Sequence, residues 1–223
     1  MFIEWEDALT AFAPEGWLHG AMTGIYEEQG LTFLGAWPEG FNGVGTKGGA
    51  AITIADAQKC KVRVPPVSPF NEIVLALGYQ TATVDWGELY SAIQTGVVDG
   101  DGANVIFYDL TYFGDVLTDW THTRQQFLTG ILTANSDSFA GLSEEHQEII
   151  ASAAREVMEA QFRDARAFDE ANIEAWKAKG HNYVVPSDEA LAEMKTVVRE
   201  QVWPVMDKLI GEELMSLVRA NAR

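Results

Sequence analysis

Residues Lys61 to Gly100 read KVRVPPVSPFNEIVLALGYQTATVDWGELYSAIQTGVVDG. Lys61-Val62-Arg63-Val64 alternates with period two, as a strand with one buried face does, and Pro65-Pro66 ends it. Phe70, Ile73, Val74 and Leu77 form an i, i+3, i+4, i+7 stripe, and Trp86, Leu89, Tyr90 and Ile93 form another, so each marks a helix. Gln80 to Val84 between them reads as a strand, and Val97-Val98 as a third. Strand, helix, strand, helix, strand is the rhythm of crossover units and predicts an α/β fold with parallel strands. Such sheets place ligands at the carboxyl ends of their strands, which draws attention to Arg63, next to the end of the first.

Upstream, Trp17, Leu18, Met22, Ile25 and Tyr26 recur at helical spacing between Pro14 and Gln29, with Gly30 as the stop. Leu31 to Trp37 reads as a strand. Pro38 to Gly49 holds five glycines without periodicity and reads as a loop. Thr53-Ile54-Ala55-Asp56 has the form of a capping box. Downstream, Ser143 to Lys179 runs 37 residues without glycine or proline, opened by Ser143 as cap with Glu144 and Glu145 in the first turn. Unbroken, that helix is roughly 55 Å long and should lie across more than one substructure. No sustained heptad supports a coiled coil. Asn182 to Val185 reads as a short strand, and Ser187 caps a further helix, kinked or broken at Pro204. Acids on the long helix such as Asp169 and Glu170 read as a solvated face.

The 223 residues are 47% hydrophobic, enough to bury a core, and disorder is excluded. A formal charge of −18 argues against nucleic acid and anionic membrane surfaces as partners, since both are held by clustered Lys and Arg. No apolar run approaches the roughly 20 residues needed to cross a bilayer. Met1 to Asp7 carries acids where a secretory signal carries Lys or Arg, so no export signal is expected in the chain as written. The lone Cys60 excludes an intramolecular disulfide and reads as an inert core thiol. Gly40-x4-Gly45-Thr46-Lys47 has its Thr and Lys in the wrong order for a phosphate loop. Asp99-Gly100-Asp101-Gly102-Ala103-Asn104 lacks the glycine and the closing Glu of a calcium loop. His19, His122, His146 and His181 form no zinc-binding pair. The residues offer no catalytic constellation, and no enzymatic activity or cofactor is expected.

Lys61-Val62-Arg63-Val64-Pro65, followed by Glu88-Leu89-Tyr90-Ser91-Ala92-Ile93-Gln94-Thr95-Gly96-Val97-Val98-Asp99-Gly100, resembles the signature of the solute-binding receptors of tripartite ATP-independent periplasmic (TRAP) transporters. Asp56-Ala57-Gln58-Lys59-Cys60 stands where the family has an Asp-Leu-Lys-Gly-like turn, with Cys60 at the usual glycine. Leu142-Ser143-Glu144-Glu145-His146-Gln147 is also similar to the family's opening of a long helix. The resemblance runs from about Gly30 to the C-terminus.

It implies an α/β, two-lobed fold of the periplasmic-binding-protein kind (class II-like), with crossing strands and one long helix, and the first lobe largely missing. Residues 1–42 with 125–170 would be the remnant of that lobe and its connecting helix, and 43–124 with 171–223 the ligand-binding lobe. It implies a periplasmic receptor that closes over a small organic carboxylate and delivers it to a TRAP membrane permease. The family's binding arginine maps onto Arg63, its aromatic wall onto Trp86, and the polar residue after Asp-Gly onto Ala103 or Asn104.

Arg63 also has its own argument. A planar guanidinium suits bidentate carboxylate recognition, although a structural ion pair with one of 33 acids would explain it as well. Trp86 opens an apolar stripe and would equally serve a core. Asp85 and Glu88 form a D-x-x-E pattern that suits helix capping. Phe107 and Tyr108, after the Asp-Gly turn, and Trp37, beside the glycine-rich stretch, complete the candidate ligand-binding set. The competing reading is a truncated, non-binding module that only packs or oligomerises, with a homodimer formed through the exposed lobe.

Overall fold

The computed structural model describes residues 4–222. In chain order its strands are β1 (Leu31–Phe41), β2 (Val44–Thr46), β3 (Lys61–Val64), β4 (Gln80–Thr83), β5 (Gly100–Asp101), β6 (Asp119–Thr121), β7 (Phe127–Asn135) and β8 (Asn182–Val184). The helices are α1 (Trp5–Phe12), α2 (Trp17–Glu28), α3 (Ile54–Ala57), α4 (Phe70–Ala76), α5 (Leu89–Thr95), α6 (Ile106–Phe113), α7 (Ser136–Ala140), α8 (Glu144–Ala178), α9 (Asp188–Ile210) and α10 (Glu212–Asn221). The described residues divide into two compact units: Phe41–Gln126 with Asp169–Ala222, and residues 4–40 with Phe127–Phe168.

The first unit carries a six-stranded mixed sheet in the order β4-β3-β5-β2-β6-β8. β3 is parallel to both β4 and β5, β2 is antiparallel to β5 and β6, and β6 is parallel to β8. Helices α4 and α5 follow β3 and β4 as the crossover rhythm requires. Alternation along β3 sends Val62 and Val64 into a core with Ile73, Val74 and Leu77 of α4 and Met194, Val198 and Val202 of α9. It turns Arg63 to the opposite face. A second core joins Leu89 and Ile93 of α5 to Ile106 and Phe113 of α6, Trp120 of β6 and Trp176 of α8. The Thr53 capping box forms as read, Thr53 accepting from the Asp56 N–H and the Asp56 carboxylate accepting from Thr53.

The fold differs from the sequence reading at several points. Val97-Val98 is not a strand, because α5 ends at Gly96 in the left-handed region (φ 80°) and the chain reaches the sheet only at Gly100. The stretch 38–49 is not a loop, since it holds the end of β1 and all of β2. Two of its glycines serve close approach rather than flexibility: a Cβ on Gly43 would sit 2.4 Å from the Trp120 ring, and one on Gly45 2.4 Å from Asp109 Oδ2. Helix α9 runs through Pro204 and stops at Gly211. Cys60 is partly buried just ahead of β3, and burial, with Asp99 nearby, pushes its thiol up to about 12.

Asp169 does not lie on a solvated face; it is buried within the first unit. Burial and the Glu170 charge, partly offset by Arg124, push its carboxyl up from 3.8 to about 7. The folded state therefore favours neutral Asp169. That contribution is complete below the unfolded value and is lost as pH rises through 7, a difference on the order of 4 kcal/mol. Buried His122, lowered from 6.5 to about 3 by burial and Arg124, acts in the opposite sense and loses stability as pH falls below 6.5. The unopposed part above pH 6.5 belongs to the acids. Calorimetry should accordingly give a lower melting temperature at pH 8 than at pH 6.5, with Asp169→Asn narrowing the gap. A melting temperature that climbs over this interval would contradict the assignment.

In the second unit β1 and β7 form a two-stranded sheet. Ala8, Ala11 and Phe12 of α1, Ala36 of β1, and Ala154 and Met158 of α8 are buried there. Phe127 of β7 meets Trp5 edge-on at 5.1 Å and stacks on Phe12 at 6.0 Å. Helix α8 runs 35 residues without interruption, roughly 52 Å. Among the described residues, no helix is long and apolar enough to cross a membrane.

Candidate ligand site

The carboxyl ends of β3, β4 and β5 converge because the three strands are parallel neighbours. In register, Arg63 lies opposite Ala82 on one side and Asp101 on the other. Its guanidinium is almost fully buried, and Nε–H donates to the Val84 carbonyl at 3.0 Å, just past the end of β4. Nη1 stands 3.6 Å from Asp101 Oδ1. That distance makes an ion pair and exceeds a hydrogen bond, and Asp101 Oδ1 has no hydrogen-bond partner. The structural ion pair that the sequence left open is therefore present, but loosely made.

The Trp86 ring lies 5.7 Å from the Arg63 guanidinium carbon, within cation–π range. Trp86 is neither core nor the start of a regular helix. It sits on the 3-10 turn Trp86–Glu88 that leads into α5, with 39% of its surface exposed. Asp85 occupies the N-cap of that turn without a side-chain capping bond, so the D-x-x-E pattern is not a capping box. Tyr108, Tyr112 and Phe113 of α6 stand edge-on to Trp86 at 6.1, 5.6 and 5.0 Å. Phe107 adjoins Tyr108 at 5.1 Å. Asn104 Nδ2 donates to Asp101 Oδ2. Five candidates, Arg63, Trp86, Asn104, Phe107 and Tyr108, are thus linked in one cluster. Trp37 belongs to the other unit, where it lies over Gly130 of β7.

Sequence reasoning missed the acids. Asp101 entered it only within the rejected calcium loop, and Asp109 not at all, although a single carboxylate on the apolar run Ile106–Phe113 was a readable signal. Both are fully buried. Burial, opposed by Arg63, raises Asp101 from 3.8 to about 6. Burial and the Asp101 charge raise Asp109 well above the ordinary carboxylate range. Trp120 Nε1–H donates to Asp109 Oδ2 at 3.1 Å. Two further polar side chains pin the turn between β5 and α6: Asn42 donates to the Ala103 carbonyl at 2.9 Å and Gln125 to the Gly102 carbonyl at 3.1 Å. Among the described residues, no three His, Cys, Asp or Glu side chains gather as a metal site would require.

An arginine at the carboxyl edge of parallel strands, walled by aromatics on one side, can present N–H donors to an oxyanion and a flat surface to its carbon skeleton. The family described as bacterial extracellular solute-binding protein, family 7 (DctP) matches residues 6–208. The chain belongs to this family, the solute-binding proteins of TRAP transporters. Among curated proteins it is similar to the ectoine-binding periplasmic protein TeaA of Halomonas elongata, 27% identical over 207 residues. That alignment covers 89% of this chain and 59% of TeaA, so the chain spans well under two thirds of the relative's length. The ectoine/5-hydroxyectoine-binding periplasmic protein UehA of Ruegeria pomeroyi is 32% identical over 130 residues, 58% of this chain and 38% of UehA. Among solved structures, the periplasmic ectoine-binding protein of the TeaABC TRAP transporter of Halomonas elongata superposes with a TM-score of 0.90 at 25% identity, covering 99% of this chain and 72% of that one. A TRAP solute-binding protein of Desulfovibrio salexigens with bound orotic acid has the same fold, with a TM-score of 0.86 at 21% identity over 99% of this chain and 71% of that one.

Proposed function

We propose that this TRAP-family chain acts in extracytoplasmic solute capture, binding a small organic carboxylate through Arg63 for handover to a TRAP membrane permease, and that it has no enzymatic activity. The observation that carries the reading is the unfinished coordination of Arg63. Its Nε–H is satisfied by Val84, whereas its Nη1 contact with Asp101 is 3.6 Å long, which leaves terminal N–H groups available to a ligand carboxylate. Trp86, with Tyr108 and Phe107 behind it, covers the ligand skeleton, and Asn104 adds a polar contact.

TeaA and UehA both carry ectoine in their names. Ectoine is a ring bearing a carboxylate and a delocalised cation, and those two groups suit a guanidinium and an indole face respectively. The net charge of −18 repels anions at long range, so recognition depends on short-range contacts at Arg63. A thermal-melt screen of the 223-residue chain against ectoine, succinate, glucuronate and orotate tests the reading. A ligand at 100 times its Kd adds about 2.7 kcal/mol of stability, which is on the order of 5 to 10 °C for a chain of this size. The same screen on Arg63→Ala should give a shift reduced to about a third or less; a shift of undiminished size moves the site elsewhere, and no shift with any acid in the wild type favours a packing module.

A further inference from the structure

The Arg63 guanidinium faces two buried carboxylates rather than one. Asp101 on β5 and Asp109 on α6 are both fully buried, and Asn104 Nδ2 donates to Asp101 Oδ2. Gly45 of β2 lies opposite Asp101, and its missing side chain is what admits Asp109, since a Cβ there would sit 2.4 Å from Asp109 Oδ2. One oxygen of each acid, Oδ1, has no hydrogen-bond partner. Among the described residues, the elements packed around the pair add no second cation. β3 supplies Arg63, β2 supplies Gly45 and Thr46 in register, and β6 supplies the uncharged Trp120 indole. His122, further along β6, is bonded to Tyr183.

One guanidinium cannot balance two buried carboxylates, so the pair holds a proton in the ligand-free protein. A ligand carboxylate arriving at Arg63 adds a third negative charge to the same enclosure. We infer that the Asp101–Asp109 pair takes up one proton from solvent when a carboxylate binds Arg63, so that the protein captures an anion together with a proton. This rests on the ligand reading of Arg63 given above. The charges balance: the free site holds Arg63 cationic, Asp101 ionised and Asp109 neutral, while the loaded site holds the Arg63–ligand ion pair and two neutral acids. The incoming proton is drawn from the buffer acid, and no bond other than O–H forms or breaks.

Binding that takes up one proton weakens as pH rises, by up to tenfold in Kd per pH unit, between the value of about 6 for free Asp101 and its higher value in the complex. Isothermal titration with ectoine and with succinate, at pH 7 in phosphate and in Tris, reads the proton count from the difference in apparent enthalpy. Uptake approaching one proton is expected in the wild type. In Asp101→Asn uptake should vanish, with a Kd that stays constant from pH 6 to 8. Asp109→Asn, expected to lower uptake less, serves if the first variant fails to fold. Tight wild-type binding with no buffer dependence would overturn proton coupling while leaving the Arg63 reading intact. Binding unaffected by Arg63→Ala, or no binding of either acid, would remove both.

Discussion

Arg63→Ala is expected to weaken carboxylate binding by about 2 to 5 kcal/mol, roughly 30-fold or more in Kd, while leaving a folded chain. Hydrogen bonds to charged groups are worth about 1.5 to 3 kcal/mol each, and a fork-on-carboxylate contact makes two. The substitution also leaves Asp101 without its cation. Removing one member of a buried pair ordinarily costs about 3 to 5 kcal/mol of stability. Here the loss should be smaller, because Asp101 is already poised near 6 and escapes the penalty by taking a proton. Arg63→Ala should therefore lose stability mainly above pH 6, and the double variant Arg63→Ala/Asp101→Asn should recover it without recovering binding. Arg63→Lys keeps the charge but loses the Nε–H bond to Val84 and the planar fork, so binding should be intermediate. Titration calorimetry with denaturant melts separates the two effects; equal Kd values across the series would exclude Arg63 from the site.

Gly100→Ala should be among the most damaging single substitutions in the chain, costing about 3 kcal/mol or more and lowering the melting temperature by on the order of 10 °C. A Cβ at that position would lie 1.9 Å from the Gly45 carbonyl oxygen and 2.9 Å from Thr46 Cα. Those atoms are the backbone of the neighbouring strand β2, so no rotamer relieves the clash and the β5–β2 ladder must open. β5 lies between β3 and β2, and opening it also displaces Asp101 from Arg63. Gly24→Ala is the control. Gly24 lies inside α2 with nothing within 4 Å of an added Cβ, so the substitution should stabilise by about 0.5 to 1 kcal/mol. Paired thermal melts decide the matter; comparable melting temperatures for the two variants would show the strand contact to be looser than 1.9 Å implies.

The parts of the fold that announced themselves were those with local periodicity. The alternation of Lys61–Val64, the stripe of α4 and the uninterrupted run of α8 each reflect one element burying one face, and each was readable from spacing alone. What escaped was set by distant neighbours. Gly43 and Gly45 look like loop glycines until Trp120 and Asp109 are placed against them. Asp169 looks like a surface acid on a polar helix until its face is found buried. At the site, Arg63 and Trp86 could be named from residue chemistry and a family resemblance. Asp101 and Asp109 were not, because the closeness of two carboxylates leaves no local pattern; only the lone acid on the apolar run Ile106–Phe113 was a local hint of one of them. Their pairing arises only when β5 lies in register with β3 and α6 folds back over the glycine of β2.

The most direct test is a crystal structure of the chain with a bound carboxylate found in the melt screen. The ligand carboxylate should lie within about 2.7 to 2.9 Å of the terminal nitrogens of Arg63, with its skeleton against Trp86. Density for the ligand elsewhere, with Arg63 still held only by Val84 and Asp101, would contradict the account.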